Sequence, residues 1–227
     1  MDYQQVIQAR QNRKTRLGRP YKNFIETFNQ CVSAGDAILT GSIAPEIKPL
    51  IERSIVISTV SAIEVYYRDM LDYIFRYCSP DFFEPKLKQL HADKYDITDM
   101  LFFYKKNIHP LELVSSAQSF QSIERIDKVF SQFIGKGLWL SILELKVRSK
   151  DKPDKIVSWE NTDLAGLKKT FELRHELVHN PALRPFLTEK IIKELWHSAH
   201  MIFGSDIILG GVLTKNKDST LANETNI

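Results

Sequence analysis

Arg174, His175, His179 and Asn180 crowd into the short run RHELVHN, and each of these residue types has chemistry to offer. A guanidinium is permanently charged and fork-shaped, suited to holding phosphate or carboxylate oxygens. An imidazole takes or gives a proton near neutral pH. The order His175-Glu176-Leu177-Val178-His179 also spells HExxH, in which two imidazoles one helical turn apart can bind zinc while the glutamate acts as general base. Two overlapping patterns therefore share one stretch: a metal pattern beginning at His175 and an Arg-x4-His pattern beginning at Arg174.

The spacing around them predicts a helix. Leu164, Leu167, Phe171 and Val178 recur at helical steps, and continuing the step puts Arg174 in the same apolar stripe. Thr162 or Asp163 is expected to cap its start, and Asn180-Pro181 to stop it. A charge in an apolar stripe persists mainly when paired. The expected partner lies on the longest periodic segment, residues 50–78, where Val56, Val60, Ile63, Tyr67, Met70, Leu71 and Ile74 trace one face and Glu64 flanks it. At about 1.5 Å per residue that helix is roughly 40 Å long, enough to be the central member of a bundle.

Arg174 and His179 stand roughly 140° apart around an ideal helix, so they do not share a narrow face. Three arrangements bring them to one substrate: the helix loosens before Asn180, the arginine reaches round, or a second subunit completes the site. For the zinc pattern, a catalytic site needs a third protein ligand. The extended HExxHxxGxxH form fails, with Ala182 at the glycine position and Pro185 at the last histidine position, which leaves Glu189, Glu194, His197 or His200 as substitutes. No metal or other cofactor is expected on the Arg-x4-His reading.

That second pattern, with a polar residue directly after Arg174 and Asn180 directly after His179, resembles the HEPN superfamily. Its members are all-α bundles that include many metal-independent ribonucleases, and their signature is Arg, a polar residue, three to five further positions and His. The resemblance spans roughly residues 50–204 and extends to an acidic residue, here Glu64, on the partner helix. It implies an endoribonuclease with Arg174 and His179 as catalytic residues and His175, Asn180 and Glu64 in support. It further implies a homodimer with a composite site, and a toxin or antiviral-defence role with an antitoxin or regulatory partner. A non-catalytic HEPN binding module and an HExxH zinc hydrolase are the alternatives. Tyr66, Tyr67 and Tyr73 are candidates for stacking on RNA bases, though tyrosines at helical spacing more often belong to a core.

The composition permits these readings without selecting one. The 227 residues are 43% hydrophobic and 26% charged, with a net charge of +3, ordinary values for a globular chain. Charge is uneven: Arg10, Arg13, Lys14, Arg16, Arg19 and Lys22 face only Asp2 in the first 22 residues, a basic arm able to attract phosphate backbones. Cys31 and Cys78 have no CxxC spacing, which fits a reducing, cytoplasmic setting. No signal peptide or membrane span is expected.

The fold class expected is all-α, an HEPN-like bundle with extra N-terminal helices, divided as a basic arm and short helix (1–49), the bundle (50–210) and a flexible tail (211–227). Within it, residues 21–34 read as a short amphipathic helix and 35–49 as a loop. Residues 86–106 read as one or two short helices, and 119–134 and 137–147 as helices. Residues 146–155 read as a polar loop, and the last helix runs from Thr188 to Gly204.

Overall fold

A computed structural model describes residues 6–8, 11, 19–90, 95–148, 154, 156–180, 182–183 and 187–218. Over this range the protein is all-α, with one short ribbon. The elements are α1 (Pro20–Leu39), α2 (Lys48–Tyr77), α3 (Pro80–Leu90), α4 (Ile97–Lys106), α5 (Pro110–Ala117), α6 (Ile123–Ile134), α7 (Leu138–Leu143), β1 (Lys146–Arg148), β2 (Ile156–Ser158), α8 (Asn161–His179) and α9 (Glu189–Lys215). Most of the basic arm, Pro181 and residues 219–227 lie outside the described residues.

Helix α2 is the central member. Its stripe of Val56, Val60, Ile63, Tyr67, Met70, Leu71 and Ile74 is buried, and α1, α5, α8 and α9 pack against it. Helix α1 shares this core through Phe24, Phe28, Cys31 and Ile38. Helix α9 lies along α8, so the candidate residues sit on a helix held by two long neighbours. Tyr66 and Tyr67 are fully buried, and the Tyr67 hydroxyl is 2.7 Å from Ser205 Oγ, so neither is available to stack on a base.

Local signals account for many ends. Asp96 caps α4 by accepting from the Asp99 amide at 2.8 Å, and Ser122 and Thr188 cap α6 and α9 in the same way. Gly135 ends α6 in the left-handed region at φ 82°, where a Cβ is unfavourable.

Several expectations change. Helix α1 continues through Gly35 to Leu39, and α9 continues through Gly204 to Lys215. Gly204 serves packing: a Cβ there would lie 2.6 Å from Ile142 Cγ2 and 2.9 Å from Trp159 Nε1. Residues 137–147 divide into α7 and β1, and β1 takes the first three residues of the stretch read as a polar loop, 146–155, with β2 directly after it. The strands pair antiparallel, with Lys146 opposite Ser158 and Arg148 opposite Ile156.

Candidate functional site

Helix α8 carries polar clusters at both ends. Its inner face runs through Leu167, Thr170, Phe171, Arg174 and Leu177; the last is fully buried while Val178 is exposed, so the stripe steps by three at its end and Leu177 takes the expected place of Val178. Arg174 does face inward. Its Nη2 lies 3.7 Å from Glu64 Oε1 on α2, with the arginine side chain 20% and the glutamate side chain 14% exposed. This ion pair is longer than a good hydrogen bond. Arg174 Nε and Glu64 Oε1 are both buried with no hydrogen-bond partner among the described residues. Burial pushes the Glu64 carboxyl up, against the lowering effect of the Arg174 and Arg68 charges. Desolvation therefore outweighs the pairing, as expected for a loose buried pair.

His175 and His179 lie on the exposed side of the same turns, their ring centroids 4.3 Å apart and tilted by 52°. The helix is regular through His179, and Asn180 is the first residue beyond it, at φ −122° and ψ 87°. Loosening before Asn180 is thus not how Arg174 and His179 meet. Within one chain the arginine is turned to α2 and both imidazoles to solvent.

A residue that sequence reasoning missed holds this end in place. Arg53 on α2 donates from Nη1 to the Leu177 carbonyl at 3.0 Å, and from Nη2 to the carbonyls of Asn180 at 3.2 Å and Leu183 at 2.9 Å. The Leu177 and Asn180 oxygens belong to the set a helix C-terminus leaves without an intrahelical partner, and the Leu183 oxygen lies in the connection beyond it. Its neighbour Glu52, 2% exposed, accepts from the Leu187 amide at 3.0 Å just before α9. Two consecutive residues of α2 therefore clamp both sides of the α8–α9 connection and fix where His179 and Asn180 stand. An adjacent pair of opposite charges amid Ile51, Ile55 and Val56 was the signal in the sequence.

At the other end of α8 the polar groups close on one another. Asp163 sits at the third helical position rather than at the cap, which is Glu160. Its Oδ2 accepts from the Glu160 amide at 2.9 Å, while Oδ1 lies 2.6 Å from His197 Nδ1 and 3.3 Å from His200 Nδ1, both on α9. Burial works to raise the Asp163 carboxyl, but the Glu160 amide and the two imidazoles outweigh it and hold it below its ordinary value. An ionised carboxylate can only accept, so His197 donates from Nδ1, which sets its tautomer. Trp159 stacks on His200 at 4.9 Å and donates from Nε1 to the His200 carbonyl at 2.7 Å. Gly166 makes room for His197: a Cβ there would lie 2.6 Å from His197 Cβ.

These contacts bear on the HExxH pattern. His197 and His200, two of its candidate third ligands, are turned to Asp163, and Glu194 pairs with Lys169 at 3.5 Å. Among the described residues no group of three or more His, Cys, Asp or Glu side chains is arranged to hold a metal ion. No described helix is long and apolar enough to cross a membrane.

Compared with known proteins, the chain matches no family model, no curated protein and no solved structure.

Proposed function

We propose that the protein is an HEPN-type, metal-independent endoribonuclease whose chemistry lies at the C-terminal end of α8. The observation that carries this reading is Arg174: a charged side chain on an inner helix face, paired loosely at 3.7 Å, with its Nε buried and without a hydrogen-bond partner among the described residues, in the same turns as two exposed imidazoles. Buried polar atoms without partners are rare and ask for an explanation, of which a bound group is one. A phosphate oxygen satisfies the guanidinium better than the distant carboxylate does.

In the proposed reaction the RNA 2′-hydroxyl attacks its own phosphorus. The 2′ O–H bond breaks and its proton passes to one imidazole; the new 2′ O–P bond forms; the P–O5′ bond breaks and the leaving oxygen takes a proton from the other. His179 is one of the pair and His175 the second. Arg174 stabilises the extra charge on the phosphorane, and Asn180 donates to a phosphate oxygen. The products are a 2′,3′-cyclic phosphate and a free 5′-hydroxyl. Because Arg174 and His179 face different ways in one chain, the active unit is a homodimer in which two α8 ends share one cleft. A cytoplasmic setting, a toxin or antiviral-defence role and an antitoxin or regulatory partner belong to the same proposal through the HEPN resemblance.

Incubating pure protein with an RNA and the matching DNA in excess EDTA tests it. RNA should be cut to cyclic-phosphate ends and DNA, which lacks the attacking hydroxyl, should survive. Loss of cleavage on EDTA would sink the metal-free mechanism. Mixing Arg174→Ala with His179→Ala protein should restore part of the activity if the site is shared between copies. The engagement of Arg174 by Glu64 within one chain favours a second reading, a non-catalytic HEPN binding module, which predicts RNA retention without cleavage and loss of stability rather than activity in both variants.

A further inference from the structure

Helix α4 presents an apolar stripe that is exposed over the described residues. Ile97, Met100, Leu101 and Tyr104 fall at i, i+3, i+4 and i+7, and they are between 52% and 81% exposed. The opposite side of the same helix is satisfied: Phe103 is buried, and with Phe102, Tyr95, Val6, Ile108 and Leu113 it forms a small cluster apart from the main core. An amphipathic helix normally turns its apolar stripe inward. Here the sequence supplies apolar residues on both sides, one for the chain's own cluster and one for something else. Four side chains of this size at these exposures offer on the order of 500 Å², near the upper end of what a monomer leaves bare and of a size that is often functional.

We infer that this stripe is a self-association surface on which α4 of a second copy lies antiparallel about a two-fold axis. The helix is self-complementary in that arrangement. With the axis passing between Met100 and Leu101, Ile97 comes level with Tyr104 of the second copy, and Met100 comes level with Leu101 of the second copy. Charge selects the direction. Asp96 and Asp99 stand at the N-terminal end of α4 and Lys105 and Lys106 at the C-terminal end. Antiparallel packing sets the acidic end of each helix beside the basic end of the other, whereas parallel packing would set like ends together. An isologous contact of this kind closes on itself and limits the assembly it makes to a pair. Burial of both stripes totals about 1,000 Å², the lower bound of a specific interface, so the contact is reversible and concentration-dependent.

The inference is independent of the α8 chemistry, since no residue of that site takes part. If the α8 ends also associate, the assembly grows beyond two copies, and removal of the α4 contact still lowers its mass. Sedimentation of the full chain from low micromolar to several hundred micromolar should show mass rising with concentration. Leu101→Glu should move the midpoint upward by at least tenfold, and its circular-dichroism melt should match the parent, because the side chain is exposed. Reversing the basic end with Lys105→Glu and Lys106→Glu together should weaken association several-fold, with the difference shrinking at high salt. Mixing Ile97→Cys with Tyr104→Cys protein under mild oxidation should give a mixed disulfide in preference to either homodimer, the native Cys31 and Cys78 being buried. A mass that does not rise with concentration, or one unchanged by Leu101→Glu, would overturn the inference.

Discussion

The two ends of α8 are built from the same kinds of residue and are finished differently. At the N-terminal end one carboxylate, Asp163, gathers a backbone amide and two imidazoles, and Trp159 and Gly166 pack around them. At the C-terminal end Arg174 and Glu64 stay 3.7 Å apart, each with a buried atom that has no hydrogen-bond partner among the described residues, and His175 and His179 face solvent and each other. A closed polar cluster rigidifies a fold; an open one keeps hydrogen-bonding capacity for a ligand. On the proposed function, the first end serves structure and the second chemistry.

Mutations separate the two most sharply where the effect is largest. Arg174→Ala and His179→Ala should each lower RNA cleavage by about 10² to 10⁴-fold, the range for lost proton transfer or charge stabilisation. Asp163→Asn should leave the cleavage rate within about twofold. The comparison breaks if Asp163→Asn is as inactive as the others.

Arg53→Ala comes next. It strips three carbonyls at and just beyond the end of α8 of a charged donor, which should cost about 2 kcal/mol in a denaturant melt. Hydrogen exchange should rise at the Asn180 amide and stay unchanged at Asp163.

The closed end has a smaller signature, read in pH. The folded Asp163 carboxyl is held below its ordinary value. The stability it contributes is therefore fully present above the unfolded value of about 3.9, and is lost as pH falls through the lower folded value. Thermal melts across that acid range should show a steeper loss for the parent than for Asp163→Asn, which carries no such carboxyl. Identical acid limbs would remove Asp163 from the account.

The smallest effect is expected for an exchange of the open pair. Glu64→Leu alone leaves Arg174 buried without a counter-charge and should cost about 1–3 kcal/mol. Glu64→Leu with Arg174→Met should return to within about 1 kcal/mol of the parent, since a loose buried pair adds little over packed apolar groups. A double variant as unstable as the single one would show that the pair itself holds α8 to α2.

What the sequence made legible was what periodicity alone can carry. Arg174 stands out because its neighbours on the stripe are apolar, and Glu64 because it flanks the stripe of the longest helix; the structure puts the two together. The all-α class followed from the same pattern. Leu177 and Val178 were exchanged because steps of three and four are equally helical. Gly204 looks like a stop until Ile142 and Trp159 are seen to occupy the space beside it. The ribbon was missed because strands of three residues, with exposed outer positions, are too short to show alternation. Arg53 binds backbone carbonyls, which have no side-chain signature. The link between Asp163 and His197 crosses two helices whose relative rotation no local pattern records.

The division between the ends can be observed directly by nuclear magnetic resonance. Imidazole and guanidinium resonances would be followed while an RNA blocked at its 2′-oxygens is added, so that binding proceeds without cleavage. The Arg174 Nε–H, His175 and His179 signals should shift in a saturable way while those of His197 and His200 hold still. Shifts centred on His197 and His200, or none at Arg174, would contradict the assignment of the chemistry to the open end of α8.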